Sequence, residues 1–339
     1  MIVRSKAPLR LGLAGGGTDL STYSDKYGGF VLNATINMYA HCTIITLTEG
    51  IEFTALDLNT TVLFSDSQEE VDDSLILHKG VYRRIIRDFN NNEPIFLKLI
   101  TYSDAPAGSG LGTSSALVVA MIKAFVELLK LPLGEYDIAH LAYEIERIDL
   151  KLAGGKQDQY AATFGGFNFI EFNANDRVIV NPLRIRQWLK DELEESIVLF
   201  YTGKSRKSAE IIKEQIKNTT QNNHENLQGM HELKMAALRM KEAVLRGDIN
   251  AIAMELRNGW EAKKRTSSSI SNNLIDDIYE ACIASGAKAG KISGAGGGGF
   301  FMFIVDPIDK LKVINTLSRF EGVVRQIEFS EKGTKGWYI

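Results

Sequence analysis

The chain has 339 residues, of which 45% are hydrophobic and 24% charged, and this composition excludes a mainly disordered, collagenous or coiled-coil protein. At about 150 residues per domain, the length suggests two domains. The formal net charge is −3, so there is no surplus of cations to neutralise a phosphate backbone, and we expect no nucleic-acid partner.

In chain order, the first half of the sequence mixes strand-like and helical patterns. Alternating β-branched residues predict strands, and apolar residues spaced by four predict helices. We predict strands at 41–48, 51–56 and 61–64, a helix at 73–89, a strand at 95–102, helices at 113–129 and 135–150, and a strand at 165–172.

The polar stretch 173–182 is the predicted boundary between an N-terminal domain, 1–182, and a C-terminal domain, 183–339. Strands and helices are mixed without regular βαβ repeats, which favours an α+β fold. Beyond the boundary we predict a helix at 185–193, a strand at 197–201, a helix-rich stretch at 205–264, a helix at 274–285, a strand at 300–305, a helix at 307–320 and a strand at 323–329.

The cysteines and the hydropathy pattern bear on location. Cys42 and Cys282 lie in apolar runs and form no CxxC pair, so we expect neither a disulfide scaffold nor a structural zinc site. No stretch reaches about 18 apolar residues, and the N-terminus lacks a signal-peptide core. We therefore expect a cytoplasmic protein without a membrane partner. The sequence leaves its oligomeric state open.

The segment 106–116, PAGSGLGTSSA, is the sharpest chemical signal. Its alternating glycines let backbone N–H groups converge, and the helix that follows adds partial positive charge at its N-terminus. The pattern indicates an anion cradle, and the simpler alternative is a Gly-rich turn with Thr113 or Ser114 as helix cap. It is neither a Walker A loop nor a GxGxxG fingerprint.

A second glycine cluster lies at 291–300, KISGAGGGGF. It formally contains GxGxxG, but a predicted strand follows where a dinucleotide loop would open a helix. Four consecutive glycines before a strand indicate backbone pressed against a ligand or another loop, or a structural bulge.

Four charged residues lie in or near further glycine runs: Arg10 and Asp19 in the segment 7–20, Glu146, and Asp158. Taken singly, each is as well explained by a strand-edge charge, a turn residue, a solvated helix face or a helix cap. Together with the anion cradle, they supply what phosphoryl transfer requires: oxygen ligands for Mg²⁺ and a carboxylate near the acceptor hydroxyl.

Segments 7–20, 106–116 and 291–300 resemble, in order, the three motifs of the GHMP kinase superfamily. The resemblance implies a two-domain α+β fold with ATP and substrate in the cleft between the domains. The first motif has GGGTD where sugar and mevalonate kinases carry Gly-Glu-His. With GGKQDQYAATFGG and FYTGKSRKSAEII, it resembles the branch that phosphorylates D-glycero-D-manno-heptose 7-phosphate, and fucokinase domains share much of this variant.

The resemblance also implies residue roles. Asp158 is the catalytic aspartate and Arg10 the basic residue facing it. Mg²⁺ binds Glu146 and Ser114, or Thr113 or Ser115 in place of Ser114. The phosphates of ATP bind Gly108, Ser109, Gly110, Leu111, Gly112, Thr113, Ser114 and Ser115, and the substrate contacts are Gly16, Gly17, Thr18, Asp19, Gly296 and Gly297.

A phosphorylated sugar needs a second anion site, and two basic runs are candidates. Lys204 and Arg206 follow a Gly-containing turn before a predicted helix. A guanidinium in that position suits phosphate, so we predict that Arg206 binds it, against the alternative of a solvated helix start. The other candidate is the run 263–265.

The predicted reaction is phosphorylation of an anomeric hydroxyl, with Asp158 accepting its proton and Arg10 keeping that carboxylate ionised. Because an anomeric hydroxyl is acidic for an alcohol, positioning and electrostatics should dominate catalysis. The alternatives are a fucokinase- or galactokinase-like kinase of an unphosphorylated sugar, a decarboxylase of the mevalonate-diphosphate type, and a catalytically silent sensor, which the intact Asp158, Arg10 and Glu146 disfavour.

Overall fold

The computed structural model describes residues 1–65, 74–203, 208–221 and 223–339. Its strands, in chain order, are β1 (Ile2–Ala14), β2 (Gly29–Thr46), β3 (Ile51–Ala55), β4 (Thr60–Leu63), β5 (Leu97–Ser103), β6 (Phe167–Phe172), β7 (Val178–Pro182), β8 (Ile197–Tyr201), β9 (Ala287–Ile292), β10 (Phe300–Val305), β11 (Val323–Arg325) and β12 (Lys335–Tyr338).

The helices alternate irregularly with these strands. They are α1 (Ser21–Tyr27), α2 (Ile76–Phe89), α3 (Thr113–Leu129), α4 (Glu135–Glu144), α5 (Gln157–Phe164), α6 (Gln187–Ser196), α7 (Ser208–Thr220), α8 (His224–Arg246), α9 (Ile249–Lys264), α10 (Asn273–Ala284) and α11 (Lys310–Leu317). A π-helical turn, Ile145–Asp149, directly follows α4.

The larger sheet has eight strands in the order β12-β1-β2-β5-β3-β4, with β6 and β7 branching from β2. The branch arises because β2 is 18 residues long: its first half pairs with β6 and its second half with β5. The apolar helix α3 packs against β1 and β2. Since β12 pairs with β1, the end of the chain returns to the sheet in which it began.

The smaller sheet has the order β11-β8-β10-β9. Every residue of its strand β10 is buried, because alternate side chains enter two different cores. Phe300 and Met302 pack into the main core of the chain, while Phe301 and Phe303 join a cluster around Trp260. Burial on both faces explains why this strand is a continuous apolar run rather than an alternating one.

The α+β class is confirmed, whereas the domain boundary at residue 182 stays a prediction. Strand β1 was not predicted, because its residues 7–14 are buried on both faces and show no alternation. Three predicted elements were too long: the helix at 135–150 changes to the π-helical turn, the helix at 307–320 shrinks to α11, and the strand at 323–329 shrinks to β11. Among the described residues, no helix is long and apolar enough to cross a bilayer.

Candidate active site

Arg10 connects all the Gly-rich segments that the sequence analysis singled out. It lies on β1 and is 4% exposed. Its Nη1 donates to the carbonyl of Gly110 at 2.6 Å and to Ser293 Oγ at 3.3 Å, and its Nε donates to Asp158 Oδ1 at 2.7 Å. One guanidinium therefore fixes the relative positions of the first motif, residues 108–115 (the predicted phosphate loop), the third motif and the predicted catalytic aspartate.

The phosphate loop is a left-handed glycine turn packed against the third motif. Gly108, Gly110 and Gly112 have φ angles of 74°, 86° and 77°, which favour glycine. An ideal Cβ at Gly110 would lie 2.2 Å from the carbonyl oxygen of Ser293, so a side chain is excluded there. Because Gly112 precedes α3 and no side chain caps that helix, the first N–H groups of α3 are available to an anion.

The side chains of the loop differ in what they offer a ligand. Those of Ser109 and Leu111 are fully buried, so their contribution is through the backbone. The hydroxyls of Ser109 and Thr113 are 3.2 Å apart. Ser114 is exposed and lines a cavity of about 710 Å³. The cavity is also lined by Arg10, Gly16, Gly17, Asp19, Gly108, Gly110, Gly112, Thr113, Ser115, Glu146, Asp158 and Lys263.

Asp158 lies in the first turn of α5, at the edge of the phosphate loop. An ideal Cβ at Gly112 would be 3.1 Å from Asp158 Cγ. Both Nε and Nη2 of Arg10 contact the same oxygen, Oδ1, at 2.7 Å. The side chain is 24% exposed, and its second oxygen is left for an acceptor hydroxyl.

Asp19 has a different environment. It is 2% exposed, and its Oδ2 accepts from the backbone N–H groups of Lys156 and Gln157 at 2.9 and 3.1 Å. Its Oδ1 accepts from Gly17 N at 3.0 Å and from Gln157 Nε2 at 3.3 Å. Asp19 therefore caps helix α5 from a distant part of the chain, and four protein donors already occupy the oxygens expected to hold sugar hydroxyls.

Glu146 lies in the π-helical turn, a feature that often marks functional sites. It is 2% exposed, and its Oε2 accepts from Gln159 Nε2, which also donates to Ser115 Oγ at 3.2 Å. Its other oxygen lies 3.6 Å from Arg147 Nη1. A solvated helix face was one of the interpretations open for Glu146, but the structure buries its carboxylate at the wall of the cavity.

Three of the predicted substrate residues contact other parts of the protein. Thr18 is fully buried, and its hydroxyl contacts the carbonyls of Gly15 and Phe30 and the amide of Phe30. Gly297 N donates to the carbonyl of Ile270 at 2.8 Å, and an ideal Cβ at Gly296 would lie 3.0 Å from the same oxygen. The glycines at 296 and 297 thus permit close packing against residue 270, while their neighbours 294 and 295 line the cavity. Lys204 and Arg206 lie outside the described residues.

The structure adds two lysines whose position the sequence did not reveal. Lys263 Nζ donates to the carbonyl of Gly16 at 3.0 Å, and Lys291 Nζ to that of Gly12 at 2.9 Å. Burial lowers the pKa of Lys263 to about 8, with Arg10 lowering and Asp19 raising it. Burial, together with the charges of Lys263 and Arg10, lowers the pKa of Lys291 to about 7. Arg10, Lys263 and Lys291 thus place three basic groups close together at one side of the cavity.

A phosphate loop joined to an acidic residue by a buried arginine, on this two-sheet fold, defines a class of phosphotransferase. The family model "GHMP kinases N terminal domain" matches residues 77–166, and "GHMP kinases C terminal" matches residues 240–322. The chain belongs to the GHMP kinases and is an ATP-dependent phosphotransferase. The resemblance drawn from the three motifs is confirmed.

The more similar relatives are sugar kinases. The chain is 50% identical to D-glycero-alpha-D-manno-heptose 7-phosphate kinase of Campylobacter jejuni, over 99% of both chains. It is 48% identical to the crystal structure of a D-glycero-D-manno-heptose 1-phosphate kinase from Bacteroides thetaiotaomicron, with a TM-score of 0.83 over 99% of both chains. A bifunctional fucokinase/GDP-fucose pyrophosphorylase of Arabidopsis thaliana is 25% identical, over 90% of this chain and 30% of that protein.

Proposed function

We propose that this chain transfers the γ-phosphoryl group of ATP to the anomeric O1 of D-glycero-D-manno-heptose 7-phosphate. The product is the 1,7-bisphosphate, a precursor of nucleotide-activated heptose, and the reaction takes place in the cytoplasm. The observation that carries the proposal is the position of Asp158, held by Arg10 at 2.7 Å beside the phosphate loop. A carboxylate at that place can accept the proton of the attacking hydroxyl. The heptose phosphate is inferred from the names of the two relatives that are about half identical.

The residues present suit a magnesium nucleotide. ATP supplies the phosphoryl group, and Mg²⁺ neutralises charge on its phosphates. Mg²⁺ takes oxygen ligands, commonly one or two carboxylates together with substrate phosphates. Glu146 and the hydroxyl of Ser114 or Ser115 are such donors, and Gln159 Oε1 beside them is a buried acceptor without a hydrogen-bond donor. We propose that Glu146 and one of these serines hold the ion.

The division of labour between Arg10 and Asp158 follows from their contact. Because both guanidinium nitrogens contact Oδ1, that oxygen is occupied, and Oδ2 is left for the acceptor. Asp158 takes the proton of the attacking hydroxyl at that oxygen. Arg10 keeps the base beside the phosphate loop, so that the nucleophile and the phosphoryl group meet in the orientation that transfer requires.

The alternative acceptor is an unphosphorylated sugar, as the fucokinase relative suggests. To decide, we would measure ADP release with Mg-ATP for heptose 7-phosphate, heptose 1-phosphate, free heptose, L-fucose, galactose and mevalonate. Asp158→Asn serves as the inactive control. Phosphorus NMR of the product identifies the carbon that gains the phosphate.

Turnover of heptose 7-phosphate with a new phosphate at C1, lost in the variant, is the expected result. Turnover of free heptose or L-fucose alone would retain the kinase and reject the phosphorylated acceptor. Turnover that survives in Asp158→Asn would reject the proposed base.

A further inference from the structure

The basic run 263–265 divides into one buried and two surface cations. Arg265 forms an ion pair with Glu232, and Lys264 one with Glu261 at 3.0 Å. Lys263, in the last turn of α9, is only 7% exposed and lines the cavity. Of this run, therefore, only Lys263 is placed to meet a bound molecule.

The ammonium of Lys263 has little to bind within the protein. One of its three protons goes to the carbonyl of Gly16 at 3.0 Å, and in the described ranges it forms no ion pair. Asp19 is close enough to influence its charge, but four N–H groups occupy the oxygens of that carboxylate. Two donors of a buried cation are thus left without an acceptor.

An unpaired buried charge is costly, and proteins normally supply it with a partner. Arg10 and Lys291 are further cations at this place. Arg10 lowers the pKa of Lys263, and Lys263 and Arg10 lower the pKa of Lys291, so the three side chains lie close together. Among the described residues, Asp19 offsets part of the charge of Lys263, but its oxygens already accept from other donors, so we look to an anionic ligand for the missing acceptors.

Two anions could enter this cavity: the phosphates of the nucleotide and the phosphate of the acceptor. The nucleotide has its own site, the loop before α3. Lys263 lies instead under residues 16 and 17, where an ideal Cβ at Gly17 would come within 3.2 Å of Nζ. Gly16 in turn adjoins the side chain of Gln157, with an ideal Cβ 3.6 Å from Nε2, and Gln157 directly precedes Asp158. This is the acceptor side of the cavity.

We infer that Lys263 binds the phosphate of the acceptor that is not transferred in the reaction. This inference rests on the proposed function, because it requires an acceptor that already carries a phosphate. An ion pair with a phosphate supplies the two missing acceptors and fixes the far end of the sugar while O1 lies at Asp158. Lys263 then selects phosphorylated over free sugars.

The test compares Lys263→Met, which removes the charge at similar length, with Lys264→Met as the matched surface control. For each protein, kcat/KM is measured for heptose 7-phosphate and for free heptose, together with KM for ATP. Because a charged hydrogen bond contributes about 1.5–3 kcal/mol, we expect the preference for the phosphorylated sugar to fall about 10- to 100-fold in Lys263→Met. It should be unchanged in Lys264→Met.

Each other outcome has its own meaning. An equal loss on both sugars, or a raised KM for ATP, would overturn the inference and assign Lys263 to the nucleotide or to the fold. An unchanged preference would also overturn it. The unmodified enzyme alone tests the proposed function: if it does not use heptose 7-phosphate, the proposed function is wrong.

A binding measurement guards against a folding defect. Heptose 7-phosphate should raise the melting temperature of the enzyme saturated with a non-hydrolysable ATP analogue, and this shift should be largely lost in Lys263→Met and in Lys263→Gln. If either variant keeps the full shift, the phosphate is bound elsewhere and the inference is wrong.

Discussion

Asp158 and Asp19 line the same cavity. Both belong to sequence motifs whose resemblance implied a role at the active site, Asp158 in catalysis and Asp19 in substrate binding. Their surroundings differ: one oxygen of Asp158 is held by Arg10, whereas both oxygens of Asp19 are occupied by N–H donors. The first arrangement leaves a base open to a substrate, and the second fixes a helix. The role of an acidic residue in a motif therefore depends on the hydrogen-bond donors that the fold places around its carboxylate.

The largest expected effect is at Asp158. Replacing it with Asn keeps the shape but removes the base, so kcat for the sugar should fall about 10³-fold, within the usual range for a general base. The KM for ATP should change little, whereas the melting temperature should fall, because Arg10, which is 4% exposed, loses its counter-ion. Steady-state kinetics and thermal unfolding test this, and a loss below tenfold would contradict the assigned role.

The next largest effect is expected at Asp19, where both the free energy of unfolding and kcat should fall. In Asp19→Asn an amide would face N–H groups, so the free energy of unfolding should fall by about 2 kcal/mol, and kcat should fall about tenfold because Asp158 loses its position. The KM for the sugar should stay nearly constant. A large rise in that KM with unchanged stability would instead show that Asp19 binds the substrate.

Gly155→Ala provides an independent check on Asp19. An ideal Cβ at Gly155 would lie 1.9 Å from Asp19 Oδ2, so this variant displaces the carboxylate without removing it. We expect the same pattern as for Asp19→Asn, with lower stability and lower kcat, in denaturant unfolding and in turnover. The matched control is Gly259→Ala, because Gly259 lies within a helix and has open space at the position of a Cβ. Gly50→Ala is unsuitable, because the φ of Gly50 is left-handed.

A further prediction concerns how the stability of the protein depends on pH. Burial lowers the pKa of Lys263 to about 8, below its value of about 10.4 in an unfolded chain. Between these values the unfolded state binds more protons, so stability rises with pH. Without ligand, Lys263→Met should be more stable than the unmodified protein at pH 7, by about 3 kcal/mol, and the difference should close only above about pH 10.4, the pKa in the unfolded chain. Urea unfolding at several pH values measures it, and a constant difference would contradict the lowered pKa.

The smallest effect concerns the serines at the start of α3. Ser115 shares Gln159 with Glu146, whereas Ser114 is exposed at the cavity wall. If Ser114 contacts the metal, Ser114→Ala should raise the Mg²⁺ concentration needed for half-maximal rate about three- to tenfold, while Ser115→Ala mainly lowers stability by about 1 kcal/mol. The opposite pattern in a Mg²⁺ titration would assign the ion to Ser115.

Sequence patterns worked where the chemistry is local. The glycines of the phosphate loop, the hydroxyl run and the helix behind them are contiguous, so spacing alone indicated an anion site. The patterns failed where burial depends on distant elements. Strand β1 shows no alternation because α3, α5 and α8 pack against it, and the burial of Glu146 depends on its contact with Gln159 of α5. The roles within the run 263–265 could not be predicted for the same reason, since Lys263 meets Gly16 and Arg265 meets Glu232, both far away in the sequence.

The motifs of the sequence predicted the family and the α+β class, and their resemblance implied that Arg10 faces Asp158, a contact that the structure shows. The phosphate loop stays a prediction from its glycine spacing. Only the tertiary structure decided that Asp19 caps a helix, that Gly296 and Gly297 serve packing, and that Lys263 alone of its run enters the cavity. The role of a buried polar group depends on which partners satisfy it, and for Asp19 and Lys263 those partners lie more than a hundred residues away in the sequence.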